Sequence, residues 1–188
     1  MRKLTALLGI LLLSACLGQT PNSMFYSLQT IRPEHPVSMR KMSIAINRAV
    51  IPSYLDKPQI VMADADGVEL QISEYQRWGE NLSSLLPRIM ADDLGVLLPN
   101  ALVKPQSFTP QNYQYYLTLE VNRMDGTWKR EAVLEAWWSI SDSQSRVIKR
   151  QKTSLTAPLG NSYEDYVQTQ SRLMGELAQQ IAQTLAKL

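Results

Sequence analysis

The sequence predicts an α+β domain: an antiparallel or mixed sheet, built from a strand meander plus N-terminal strands, with two long helices packed on one face. Three observations carry this. Residues 113–156 hold successive stretches of two-residue alternation separated by turn signals. Residues 162–188 hold a nearly unbroken apolar stripe at three- and four-residue spacing. A second stripe of the same period begins at Tyr75 and runs to Leu97.

The chain opens on a segment with the layout of a secretory signal. Arg2 and Lys3 are followed by a short apolar run from Leu4 to Leu13 and then by small residues. The run is too short to span a bilayer. It ends in Leu13-Ser14-Ala15-Cys16, and Cys16 is the single cysteine of the sequence. This ending resembles the lipobox of bacterial lipoproteins. The resemblance implies a diacylglycerol thioether on Cys16, cleavage between Ala15 and Cys16, and acylation of the new amine. Several acyl chains make a lasting anchor where one is marginal. Residues 1–15 are therefore read as a signal peptide, residues 16–23 as a lipidated N-terminus and short tether, and residues 24–188 as one periplasmic domain. The residue after Cys16 is Leu17, not Asp. In Gram-negative envelopes that choice implies release to the outer membrane, with the domain facing the periplasm.

Residues 24–28 read as a short strand and residues 42–50 as another, in which Met42, Ile44 and Ile46 alternate with smaller or polar residues. Pro52 and Pro58 bound a loop. Residues 59–63 and 68–72 read as a hairpin turning at Asp64-Ala65-Asp66-Gly67. The stripe from Tyr75 reads as a helix, interrupted at Pro87 and ended near Gly95 and Pro99. Residues 113–121 are the clearest strand, with Tyr113, Tyr115, Leu117, Leu119 and Val121 on one face. Asp125-Gly126 supplies a turn. Residues 131–140 follow with Ala132, Leu134, Ala136, Trp138 and Ile140 facing the core, and residues 142–145 turn again. Residues 146–156 are more basic and read as an edge strand. Ser162 is placed as the N-cap of the closing helix, with Asp165 in its first turn.

Composition narrows the function classes. Without Arg2 and Lys3 the chain carries 17 Lys+Arg against 17 Asp+Glu. No strong field is available to collect nucleic acid. With its only cysteine lipidated, no disulfide is expected. An enzyme finds little support. His35, the one histidine, sits in a proline-flanked loop without a second imidazole or a thiol for zinc. No nucleophile elbow, phosphate loop or dinucleotide fingerprint occurs. Asp64-Ala65-Asp66-Gly67 fits a turn better than a calcium loop, because Met62 and Ser73 stand at the first and twelfth positions. Asp92-Asp93 reads as a solvated helix face. No cofactor, metal or catalytic residue is assigned.

Two places invite a partner. Trp137 faces away from Trp138 and with Val133 and Tyr116 forms an aromatic patch if that sheet face is open. Tyr54 and Leu55 lie in the loop stiffened by Pro52 and Pro58, either as an interface anchor or as a plug and cover for the sheet edge.

The same loop carries a family resemblance. Ile51-Pro52-Ser53-Tyr54-Leu55-Asp56-Lys57-Pro58-Gln59-Ile60-Val61 resembles a segment of the PqiC/YmbA-like lipoproteins, the ABC-type transport auxiliary lipoproteins. Phe25-Tyr26-Ser27-Leu28, the segment from Tyr75 to Leu82, and the closing helix from Tyr163 to Ile181 resemble other parts of that family in the same order. The resemblance implies a non-catalytic, outer-membrane-anchored component of a Pqi-type system that supports lipid trafficking and envelope integrity. It implies an MCE-domain membrane protein as partner, with a second copy of the chain as a further one. The alternative is a lipoprotein regulator of a periplasmic cell-wall synthase. The tether of residues 18–23 is short for reaching through peptidoglycan, which favours a partner that comes to the membrane.

Overall fold

The structure, a computed structural model, describes residues 21–30, 32–64, 66–106 and 112–188. The described residues form β1 (Met24–Tyr26), β2 (Ser43–Ile46), β3 (Gln59–Ala63), β4 (Leu70–Trp78), α1 (Leu82–Leu97), β5 (Leu102–Pro105), β6 (Tyr115–Gly126), β7 (Glu131–Asp142), β8 (Val147–Pro158) and α2 (Tyr163–Leu185). The class is α+β, as expected. The strands, however, make two mixed sheets, one of order β1-β4-β3 and one of order β5-β2-β6-β7-β8.

The split has a local cause. After β2 the chain stays beside β6 without forming a regular ladder. Asn47 N–H donates to the Leu117 carbonyl, Val50 N–H to Leu119, and Val121 N–H back to Val50, all at 2.9 Å. This irregular run occupies the edge of β6. The β3–β4 hairpin therefore cannot join there. It pairs instead with β1, which runs parallel to β4 with Met24 opposite Gln76 and Tyr26 opposite Trp78.

β6, β7 and β8 form the expected antiparallel meander, with β8 at the sheet edge. Leu117, Leu119, Val121, Leu134, Ala136, Trp138 and Ile140 point into the core. The strand β6 runs further than its alternation suggested, through Gly126. The register shifts between Val121 and Arg123, so Asn122 is an extra residue in a β-bulge. The bulge flips the parity. Odd residues face inward before it; afterwards Met124 and Gly126 do, and Arg123 turns outward. Asp125-Gly126 is thus strand, and the turn falls at residues 127–130, closed by Arg130 N–H to the Thr127 carbonyl at 3.1 Å.

Tyr75 and Trp78 belong to β4, not to a helix. Trp78 N–H donates to the Pro58 carbonyl at 2.7 Å and Gly79 N–H to the Tyr26 carbonyl at 2.8 Å, which holds the segment extended. The helix α1 begins only at Leu82 and continues through Pro87. Proline has no N–H for the carbonyl four residues back. That carbonyl, on Ser83, accepts instead from Ala49 N–H at 3.3 Å. The interruption in the helix thereby becomes a contact to the strand layer. The short β5, which the sequence reading did not include, adds parallel to β2 with Val103 opposite Ile44.

The closing helix α2 forms as expected. Ser162 Oγ accepts from Asp165 N–H at 3.0 Å, and Glu164 and Asp165 occupy the first turn. Tyr166, Leu173, Met174, Leu177, Ile181 and Leu185 are buried. They pack on the inner face of the five-stranded sheet beside α1. A polar chain pins this helix to the sheet: Trp138 Nε1–H donates to Thr153 Oγ1 at 3.0 Å, and Thr153 Oγ1–H donates to Gln180 Oε1 at 3.1 Å. No helix among the described residues is long and apolar enough to cross a membrane.

Candidate interaction face

The helices cover one face of the five-stranded sheet; the outer face of β6, β7 and β8 carries no helix and is covered only toward the β6–β7 turn, where the Tyr54 loop and the β3–β4 turn meet it. Trp137 lies on that outer face, opposite Glu120 of β6 and Lys152 of β8. The Arg150 guanidinium stands 5.1 Å from the centre of its ring. Arg150 also approaches Glu120 at 3.9 Å, and Lys152 pairs with Glu135 at 3.4 Å. Arg123, turned outward by the bulge, pairs with Asp125 at 2.7 Å and faces Glu135 at 3.8 Å. The face is therefore a lattice of alternating charge with one indole held under a guanidinium. The exposed Arg150–Glu120 pair contributes little stability; its value lies in orientation and selectivity, whereas the Arg123–Asp125 pair has its carboxylate buried.

The contiguous aromatic patch does not form. Val133 is only 6% exposed. It lines a cleft with Asp66, Gly67, Arg123, Thr127, Arg130 and Glu131. Tyr116 is half-buried and meets Tyr113 edge-on at 6.3 Å. Glu120 and Glu135 flank Trp137. The Trp137 surface is mixed aromatic and charged, because alternation along a strand does not reveal what its neighbours bring.

The loop pair separates. Leu55 is 3% exposed and belongs to the core, so it plugs the structure instead of offering itself to a partner. Tyr54 stays half-buried, and its hydroxyl donates to the carbonyl of the bulged residue Asn122 at 3.3 Å. Burial raises the Tyr54 phenol above its ordinary pKa; the Asp125 carboxylate adds to this and Arg123 opposes it. Tyr54 thus sits beside the Arg123–Asp125 pair that faces Glu135, and Trp137 lies two residues along the same face of β7. The structure brings Tyr54 and Trp137 to one surface. The signal that joins them is the bulge at Asn122, which the sequence reading did not contain.

Ala15 and Cys16 lie outside the described residues. His35 is exposed in its loop. Asp64 serves a turn: its Oδ1 accepts from Val68 N–H at 2.9 Å, and Gly67 adopts φ +70°. The two carboxylates of α1 differ, for Asp92 is exposed and near Arg88 at 3.8 Å while Asp93 is fully buried. The reading of both as a solvated face is corrected for Asp93, which lies on the core side of the helix. No group of His, Cys, Asp and Glu among the described residues is placed to hold a metal ion.

Residues 26–182 match the family model described as the ABC-type transport auxiliary lipoprotein component. The chain belongs to this family. The match spans almost all of the described domain, so the auxiliary lipoprotein fold is the fold described above. Solved structures share it. An uncharacterized protein is 17% identical with a TM-score of 0.74, over 88% of this chain and 99% of that one. A Xanthomonas campestris protein of the DUF330 family is 12% identical with a TM-score of 0.67, over 87% of this chain and 95% of that one. At such identities the likeness is one of fold alone. No curated protein matches the sequence. The family is an auxiliary transport component and generally non-catalytic.

Proposed function

We propose that this auxiliary lipoprotein is anchored through Cys16 in the outer membrane, faces the periplasm, and serves a Pqi-type system as the non-catalytic partner of its MCE-domain protein. The observation that carries the reading is the family match over residues 26–182, joined to the lipobox-like ending at Ala15-Cys16. The outer sheet face supplies a docking surface of suitable character: Trp137 under Arg150, and Tyr54 beside Arg123 and Asp125. Aromatic and arginine side chains together are the residue types that dominate binding energy at protein interfaces. A second copy of the chain is the other partner this reading admits. Lipid trafficking across the periplasm is the process served.

The test is recovery of partners from solubilised envelopes with Trp137→Ala and Tyr54→Ala proteins. Trp137→Ala is expected to lose most of the co-purifying MCE-domain protein while its unfolding midpoint changes little; Tyr54→Ala is expected to lose it too, with a lowered midpoint, because Tyr54 packs against the core and donates to the Asn122 carbonyl. Unchanged recovery with both variants would move the docking surface elsewhere. Recovery of a cell-wall synthase in place of an MCE-domain protein would replace the proposed function with a regulatory one.

A further inference from the structure

We propose that the outer strip of the small sheet, formed by Phe25, Leu70 and Ile72 with Val68 at the hairpin tip, rests on the lipid surface in which the chain is anchored. The proposal rests on the reading of Cys16 as a lipid anchor, and it assigns the domain a preferred orientation at that surface.

The four side chains are 66%, 40%, 52% and 85% exposed, in that order. Phe25, Leu70 and Ile72 share one face, and Val68 stands in the turn just before β4. Between the pairs Gln59–Arg77 and Val61–Ile72, β3 advances two residues and β4 five. The three additional residues on β4 are an odd number, so Ile72 and Leu70 return to the face that carries Arg77. Phe25 of β1 stands opposite Arg77 on that face. Val61 and Ala63, also on that face, are buried, so the strip runs along β1 and β4 only. Isolated exposed apolar residues need no explanation, but a strip on one face does.

The direction of the chain selects lipid as its occupant. The pairing of β1 with β4 is parallel. The chain that precedes Met24 therefore leaves toward the end of β4 that holds Ile72 and Leu70, and toward the hairpin tip at Val68. Cys16 lies eight residues before Met24. At ~3.3–3.6 Å per residue even a fully extended segment reaches no more than ~30 Å. The apolar end of the small sheet is thus the part of the domain held nearest the anchor. Asp66 and Glu69 flank the tip. The contact is accordingly apolar, suited to a zwitterionic surface and insensitive to salt, since anionic headgroups would repel these carboxylates.

The experiment uses the full lipidated protein in phosphatidylcholine vesicles that contain a spin-labelled quencher lipid. A polarity-sensitive thiol dye is placed at Val68→Cys or, as a control, at Gln144→Cys. Gln144 sits in the β7–β8 turn. The tip shares a cleft with Glu131, which begins the 12-residue β7, so the control lies at the far end of that strand, on the order of 40 Å away. Quenching at Val68 is expected to be several-fold stronger than at Gln144, unchanged by salt, and reduced when Phe25→Ser and Ile72→Ser are added. Both are exposed, so these changes leave the fold intact. Weak and equal quenching at the two sites in protein that floats with the vesicles overturns the proposal and leaves the anchor standing. Protein that does not float overturns the anchor and the orientation together.

Discussion

Thr153→Val is the sharpest test of how the closing helix is held. The substitution keeps the shape of the side chain and removes its hydroxyl. Thr153 is 7% exposed, and its Oγ1 accepts from the Trp138 indole N–H at 3.0 Å. Trp138 is 1% exposed, so the freed N–H has no route to water. An orphaned buried donor costs about 1–3 kcal/mol. Gln180 loses a hydrogen bond at the same time but is only half-buried and can turn to solvent, so its share is smaller. For a chain of this length 1 kcal/mol corresponds to ~2–4 °C, and the midpoint should fall by roughly 2–12 °C. Thermal unfolding followed by far-ultraviolet circular dichroism reads this directly. The assay is completed by Trp138→Phe and the double variant. The coupling between the two positions should be about 0.5–1.5 kcal/mol, the net worth of one hydrogen bond. A Thr153→Val protein as stable as the wild type, with no coupling in the cycle, would refute the polar pin and leave α2 held by apolar packing alone.

Ile181→Ala and Leu177→Ala truncate side chains that are 0% and 1% exposed, and each should lower stability by about 2–5 kcal/mol in a denaturant titration, whereas Gln179→Ala on the exposed face of α2 should leave it unchanged. Cys16→Ser should abolish lipid labelling and signal cleavage, and Leu17→Asp should move much of the protein to the inner-membrane fraction; unchanged labelling or unchanged fractionation would count against the anchor and the sorting in turn. Tyr26 carries an alkaline prediction. Burial, followed by its hydrogen bond to Glu164, pushes its phenol up to about 12. The folded state therefore holds that proton more tightly than the unfolded chain, whose value is near 10. Its contribution is complete below pH ~10 and is lost as pH rises toward the folded value. Tyr26→Phe should flatten the alkaline loss of stability, and an unchanged pH profile would contradict the assignment.

The closing helix and the meander were legible because each announces itself by local periodicity. The stripe through Leu173, Leu177, Ile181 and Leu185 can be satisfied only by a helix, and the alternation through Leu117, Leu119 and Val121 only by a strand. Tyr75 and Trp78 were misread because their spacing to Leu82 happens to match a helix. Backbone partners far away in sequence, the Pro58 and Tyr26 carbonyls, decide the matter. β5 was missed for the same reason, since Leu102–Pro105 becomes a strand only by lying beside β2. At the candidate face, Trp137 was correctly turned outward by alternation. Its charged setting was not foreseen, because Arg150 and Glu120 arrive from other strands. The role of Leu55 and the meeting of Tyr54 with Arg123 depend on the extra residue at Asn122. A bulge leaves no composition signature.

The parallel pairing of β1 with β4 has a mechanical consequence. A pull applied through residue 21 acts along the strand axis, so the bonds from Met24 to Tyr26 are loaded in shear and must yield together instead of opening one after another. Behind them Tyr26 lies 2.8 Å from Gln76 Oε1 and 3.0 Å from Glu164 Oε1, with its ring 6.4 Å from that of Tyr163. Traction at the start of the domain is thus shared between the small sheet and the first turn of α2 before any strand peels away. A three-residue strand, negligible by its area, becomes the clamp through which the whole molecule can be held.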